Sequence, residues 1–69
     1  MNKTIKTLEA DREKRGLTLD EYAVFIGIGC VTYFKWRKGY TMPSVAKLMT
    51  VSERTGIALG ELIEGLSES

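Results

Sequence analysis

Four glycines do most to limit what this chain can fold into. Gly16, Gly27, Gly39 and Gly56 each follow a short run whose apolar residues recur at three- and four-residue intervals. That spacing puts the apolar side chains on one face of a helix, and a glycine just past the last turn is the usual stop. Reading between the stops predicts five helices, over about 4–15, 19–26, 29–38, 45–55 and 59–63. The expected fold class is all-α, with no strand pattern, internal repeat or linker. A chain of 69 residues can bury one core, so residues 1–69 are expected to form a single domain with its ordered part at about 4–66.

The helix starts are as clearly marked as the stops. Thr18-Leu19-Asp20-Glu21 has the form of a capping box, with Leu17 and Tyr22 at the positions of a hydrophobic staple. Ser44, after Pro43, is an N-cap for the fourth helix. Ile5 and Leu8 are expected to face inward from the first helix. Ile57, Leu59, Leu62, Ile63 and Leu66 are candidate core residues near the C-terminus, and 65–69 are expected to fray.

Composition narrows the chemistry. There is no histidine and one cysteine, Cys30, so no intrachain disulfide is expected, and neither a metal site nor a cofactor. With no nucleophile–base signature and no phosphate-cradling glycine loop, no catalytic residue is expected and the chain reads as a non-enzyme without a small-molecule substrate. The lone thiol and the lack of a signal-like or membrane-spanning apolar run point to a cytoplasmic protein that does not enter a membrane. The net charge of +1 is unevenly spread. Residues 1–43 hold eight Lys/Arg against five Asp/Glu, and residues 44–69 hold two against four. From Phe25 to Lys47 there is no acid, whereas Lys35, Arg37, Lys38 and Lys47 all fall there.

Residues 19–38 fit two short helices joined through a glycine-containing turn, the helix-turn-helix spacing whose second helix enters the DNA major groove. Ala23 is small where the helices must approach, Gly27 sits at the turn, and Tyr22, Ile26, Ile28, Tyr33 and Trp36 fall at the inward positions. More widely, Arg12-Glu13-Lys14-Arg15-Gly16-Leu17-Thr18, Ala23, Ile26-Gly27-Ile28, Trp36-Arg37-Lys38-Gly39 and Pro43-Ser44 with Leu48 resemble the lambda repressor/Cro-type DNA-binding domain. The tryptophan followed by a basic residue also resembles phage activators of the lambda CII type. The resemblance implies a regulator of phage, prophage or bacterial genes, such as a repressor, that binds double-stranded DNA and commonly acts as a dimer. By position, Gly29, Cys30, Val31, Phe34, Lys35 and Lys38 would face the groove or its phosphates. Thr18 at the start of the second helix and the backbone at Tyr40 and Thr41 complete the expected DNA-binding set.

The sequence departs from that pattern at several of these places. Leu19 stands where a polar phosphate contact is usual, and Gly29 where Ser or Thr usually caps the recognition helix. Cys30, Val31 and Phe34 replace residues that can make bidentate base contacts. Arg37 replaces a glutamate that would pair with Arg12, so a first-helix carboxylate, Glu9 or Asp11, is expected to bridge to Arg37; otherwise Arg37 turns toward DNA. The same register pushes Val24, Phe25, Cys30, Val31 and Phe34 outward. The alternative function is therefore a helix-turn-helix used for protein binding, with a second copy or partner regulator held through Val24, Phe25, Phe34 or the C-terminal helix. Cys30 reads as a small apolar filler or, less simply, as a redox switch, and Lys35 and Lys38 as groove contacts or ordinary solvated lysines.

Overall fold

The computed structural model describes residues 1–68; in it the chain forms α1 (Lys3–Arg15), α2 (Leu19–Ile26), α3 (Cys30–Lys38), α4 (Val45–Thr55) and α5 (Leu59–Gly65). Among the described residues there is no strand. Each of the first four helices is set by its ends. The Asn2 side chain accepts from the Ile5 backbone N–H at 2.8 Å, and Ser44 accepts from that of Lys47 at 3.2 Å. At α2 both halves of the capping box are present: Thr18 Oγ1 accepts from Glu21 N, while the Glu21 carboxylate accepts from Thr18 N at 2.8 Å. The box thus satisfies two backbone N–H groups at the start of α2 that lack intrahelical partners, and the Asn2 and Ser44 caps satisfy one each at α1 and α4. The glycine after each of these four helices adopts positive φ.

The core is Ile5 and Leu8 from α1, Tyr22, Ala23 and Ile26 from α2, Ile28 from the turn, Tyr33 and Trp36 from α3, Leu48 and Val51 from α4, and Leu62 from α5. All five residues expected inward in the 19–38 unit are buried. α5 lies against α1 and α4, and α2 packs on α3 and α4. No described helix is long and apolar enough to cross a membrane.

Two expectations for the C-terminus are corrected. α5 continues to Gly65, and residues 65–68 are docked rather than frayed: Glu68 O accepts the Lys3 backbone N–H at 2.8 Å, and the Thr4 hydroxyl donates to Leu62 O. Three-residue turns carry the chain on from α5 to that contact. Gly65 is buried, with no side chain to keep α5 away from Thr4. The expectation for Ser69 lies outside the described residues. Ile63, expected in the core, is 39% exposed. Leu62 and Gly65, three apart, face α1, and a step of one residue turns Ile63 about 100° away from that stripe.

Candidate nucleic-acid interface

The turn between α2 and α3 is three residues long. Gly27 has φ 77°, Ile28 is buried, and Gly29 begins α3 without a side-chain cap. Gly27 N–H donates to Val24 O at 3.1 Å and Ile28 N–H to Ala23 O at 3.0 Å, which closes the end of α2. A side chain at Gly27 would be doubly unfavourable: the left-handed conformation resists a Cβ, and that Cβ would lie 3.1 Å from Thr50 Cγ2. From α4, Arg54 donates to Phe25 O at 3.2 Å and ties the end of α2 to the bundle.

Tyr33 and Trp36, one helical turn apart, anchor the inner face of α3. The outer face then carries Cys30, Val31, Phe34, Lys35 and Lys38, all exposed. Val31 is 68% and Phe34 47% exposed. Lys38 Nζ lies 5.6 Å from the Phe34 ring centre, within cation–π range. Neither Lys35 nor Lys38 has a carboxylate within ion-pair distance among the described residues. A cleft of about 70 Å³ opens between the start of α2 and α3, lined by Leu19, Asp20, Cys30, Tyr33, Phe34 and Arg37.

The rotation of α3 is held by one carboxylate of α1. Glu9 Oε1 accepts from Arg37 Nε at 2.8 Å, and Oε2 accepts from Arg12 Nε at 3.1 Å and from the Tyr33 hydroxyl at 2.7 Å. Burial by itself would raise the Glu9 carboxyl, but hydrogen bonds from Tyr33, Arg12 and Arg37 outweigh it and hold the group below the ordinary glutamate value. Burial, with Glu9 adding to it, pushes the Tyr33 phenol far up. The expected bridge between the two arginines is therefore present, and Glu9 supplies it. Asp11 instead accepts from Arg15 Nε and from the Tyr22 hydroxyl, both at 2.8 Å. Held by Glu9, Arg37 is not turned outward.

Other candidate residues are modified by their surroundings. Thr18 is exposed, but its oxygen and backbone N–H are both engaged with Glu21, leaving the hydroxyl hydrogen to donate. Tyr40 and Thr41 are exposed, yet the Tyr40 backbone N–H donates to Lys35 O at 2.9 Å. The backbone phosphate contact expected at Tyr40 is corrected on that ground, because α3 uses the donor to close its own C-terminus. Phe25 is also corrected. It is half-buried rather than free on the outer surface, its ring centre 6.1 Å from that of Tyr22 and its face covered by the Arg15 guanidinium at 4.5 Å. A large flat ring at that position can fold back toward α1, where a cation meets it. Val24 stays outside, 77% exposed.

Asp20 went unrecognised in the sequence although it reaches the site. Its carboxylate accepts from the Cys30 thiol, ten residues on. The usable signal is that a helix-turn-helix brings the first turns of its two helices together, so polar residues in both first turns should be read as a pair. That hydrogen bond, more than burial, raises the Cys30 thiol above its ordinary value. The expected result is slow alkylation of Cys30 by iodoacetamide at pH 8 for so exposed a thiol, and faster alkylation in Asp20→Asn. Equal rates for the two proteins, followed by mass spectrometry, would mean that Asp20 does not control the thiol.

A short helix, a glycine turn, and a second helix with an anchored inner face and a free outer one define a helix-turn-helix unit. The family model described as Helix-turn-helix matches residues 8–62, and the chain belongs to that family, the lambda repressor/Cro-like helix-turn-helix proteins. No curated protein and no solved structure matches the chain significantly. The family is one of DNA-binding, non-catalytic regulators.

Proposed function

We propose that the chain acts as a sequence-specific transcriptional regulator that lays α3 in the major groove of double-stranded DNA. The observation that carries this reading is the outer face of α3. It presents Lys35 and Lys38, with no acid partner among the described residues, beside Cys30, Val31 and Phe34, while Glu9, Tyr33 and Trp36 hold the helix in rotation. Lys35 approaches base edges, guanine by preference, and Lys38 meets phosphate. The N–H groups at Gly29 and Cys30 point from the start of α3 toward the duplex, and the Thr18 hydroxyl, the Tyr40 phenol and Thr41 flank it. The first turn of α2 carries Asp20 and Glu21, so it repels phosphate and the anchoring falls to α3. The protein on this reading is a phage, prophage or bacterial repressor working in the cytoplasm.

Selection of duplexes from a random pool, followed by titration over a salt series, tests the reading. The logarithm of affinity should fall with the logarithm of salt, at a slope near −0.9 for each phosphate neutralised. Lys35→Ala should cost about 1–3 kcal/mol on the selected site and relax preference at one base pair, whereas Lys38→Ala should weaken all duplexes alike. Two variants that bind like the unaltered protein would overturn this docking.

The exposure of Val24, Val31 and Phe34 favours a second reading, protein binding through the outer surface of α2 and α3. A second copy or a partner regulator would then dock there or on the C-terminal helix, where Ile63 is exposed. Sedimentation equilibrium with and without duplex separates the two readings.

A further inference from the structure

We infer that α3, besides the base pair approached by Lys35, discriminates among duplexes by the C5-methyl groups of pyrimidines, which Val31 and Phe34 meet in the major groove. The inference rests on the DNA reading above and names what that face reads. Sequence can be read there through hydrogen bonds to base edges or through apolar contact, and the apolar feature a base pair offers in the major groove is the C5-methyl.

Hydrogen-bonding readout is largely closed to this helix. Its outer face has no Asn, Gln or free Arg: the one arginine of α3, Arg37, has its guanidinium on Glu9. The Cys30 thiol is spent on Asp20, so toward a base it presents sulfur and not a donor. What remains is Lys35, a point charge on a flexible stem that lacks the planar fork of arginine, and the half-buried Thr32 hydroxyl. Apolar surface, by contrast, is large and held in place. Val31 is 68% exposed on a helix whose inner face is anchored, and Phe34 is 47% exposed. The Lys38 ammonium over the Phe34 face, at 5.6 Å, links the ring to the residue proposed to meet phosphate. Phe34 and Cys30 also border the cleft of about 70 Å³ between the start of α2 and α3, which adds recessed apolar surface beside the ring. The charge at its rim is also selective. The Asp20 carboxylate repels the O4 of a thymine but accepts from the N4 amino group of a cytosine. Thymine and 5-methylcytosine both carry the methyl, and they differ in that second group.

The test uses the full chain and a duplex obtained by selection, with binding read by fluorescence anisotropy. In one set each thymine of the site is replaced singly by uracil, which deletes the methyl and keeps the base pairing. In another each cytosine is replaced singly by 5-methylcytosine. At one or more positions, losing the methyl should weaken binding, or gaining it should strengthen binding, by about fourfold per methyl, the ratio that burying roughly 0.8 kcal/mol of apolar group corresponds to. Thymine as the source shows in the first set and 5-methylcytosine in the second. The double variant Val31→Ser, Phe34→Ser should bind methylated and unmethylated duplexes equally, with circular dichroism checking that these exposed substitutions leave the fold intact. Binding that is indifferent to every methyl overturns the inference and leaves the DNA reading in place. Failure of the unaltered protein to bind any duplex in low salt overturns the DNA reading itself and the methyl inference with it.

Discussion

Replacing Glu9 with alanine should cost about 2–3 kcal/mol and lower the melting temperature by roughly 10–20 °C. Breaking a buried pair by removing one partner typically costs about 3–5 kcal/mol, because the charge left behind has no compensation. Here the loss would strand two guanidiniums and a buried phenol: Arg12, Arg37 and Tyr33 all converge on this carboxylate. Water partly reaches the cluster, with side-chain exposures of 15% for Glu9, 19% for Arg12 and 25% for Arg37, which brings the effect below the fully buried figure. A domain this small has about 4–10 kcal/mol of stability in all, so the loss is large. It should be largest near neutral pH. The folded protein holds the Glu9 carboxyl below its ordinary value, so its contribution is fully present above the unfolded value of about 4.3 and fades as pH falls through the folded one. Glu9→Gln, which keeps one acceptor but no charge, should accordingly show a shallower fall in stability below about pH 4 than the unaltered chain. Thermal melts over pH 2–7 check both points; a loss under about 1 kcal/mol in Glu9→Ala would show the cluster to be effectively solvated. Because Arg37 and Tyr33 set the rotation of α3, the same substitution should also weaken DNA binding through the position of the helix.

Alanine substitutions at the two glycines of α5 should act in opposite directions. Alanine is the better helix former by about 1 kcal/mol, and Gly60 has no atom within 4 Å of where a Cβ would stand. Gly60→Ala should therefore stabilise the protein by up to about 1 kcal/mol. At Gly65 the added carbon would meet Thr4 Oγ1 and lie 2.8 Å from Thr4 N. The backbone nitrogen cannot swing aside as a flexible side chain could, so α5 must move off α1. That movement stretches the Thr4–Leu62 hydrogen bond and the Lys3–Glu68 contact. Overpacking of this kind costs about 1–3 kcal/mol, which outweighs the gain in helix propensity and leaves a net loss. Urea denaturation of the two variants checks the pair, and stabilisation by Gly65→Ala would show that the two helices do not approach this closely.

Much of this was legible because helix signals are local. The stops at Gly16, Gly27, Gly39 and Gly56, the Thr18–Glu21 box and the Ser44 cap concern residues within one turn of each other, and they set where four of the helices begin or end. The helix-turn-helix spacing then placed Tyr22, Ile26, Tyr33 and Trp36 inside, and the family resemblance implied that Val31, Phe34, Lys35 and Lys38 lie outside. The need for an acid between Arg12 and Arg37 followed once the family resemblance implied that these two positions meet, because both carry positive charge. What required the tertiary structure were contacts between separate elements. Glu9 and Asp11 lie on α1 within one turn of each other, and only the rotation of α1 against α3 decided that Glu9 reaches Arg37, 28 residues away. The same holds for Phe25, whose exposure depended on whether Arg15 of α1 could reach its face. Asp20 became part of the site once the first turns of α2 and α3 were adjacent. Residues 65–68 looked like a fraying end because their partners, Lys3 and Thr4, lie at the other end of the chain. Local rules give each helix its faces and ends, whereas its rotation and docking depend on packing against elements far away in sequence.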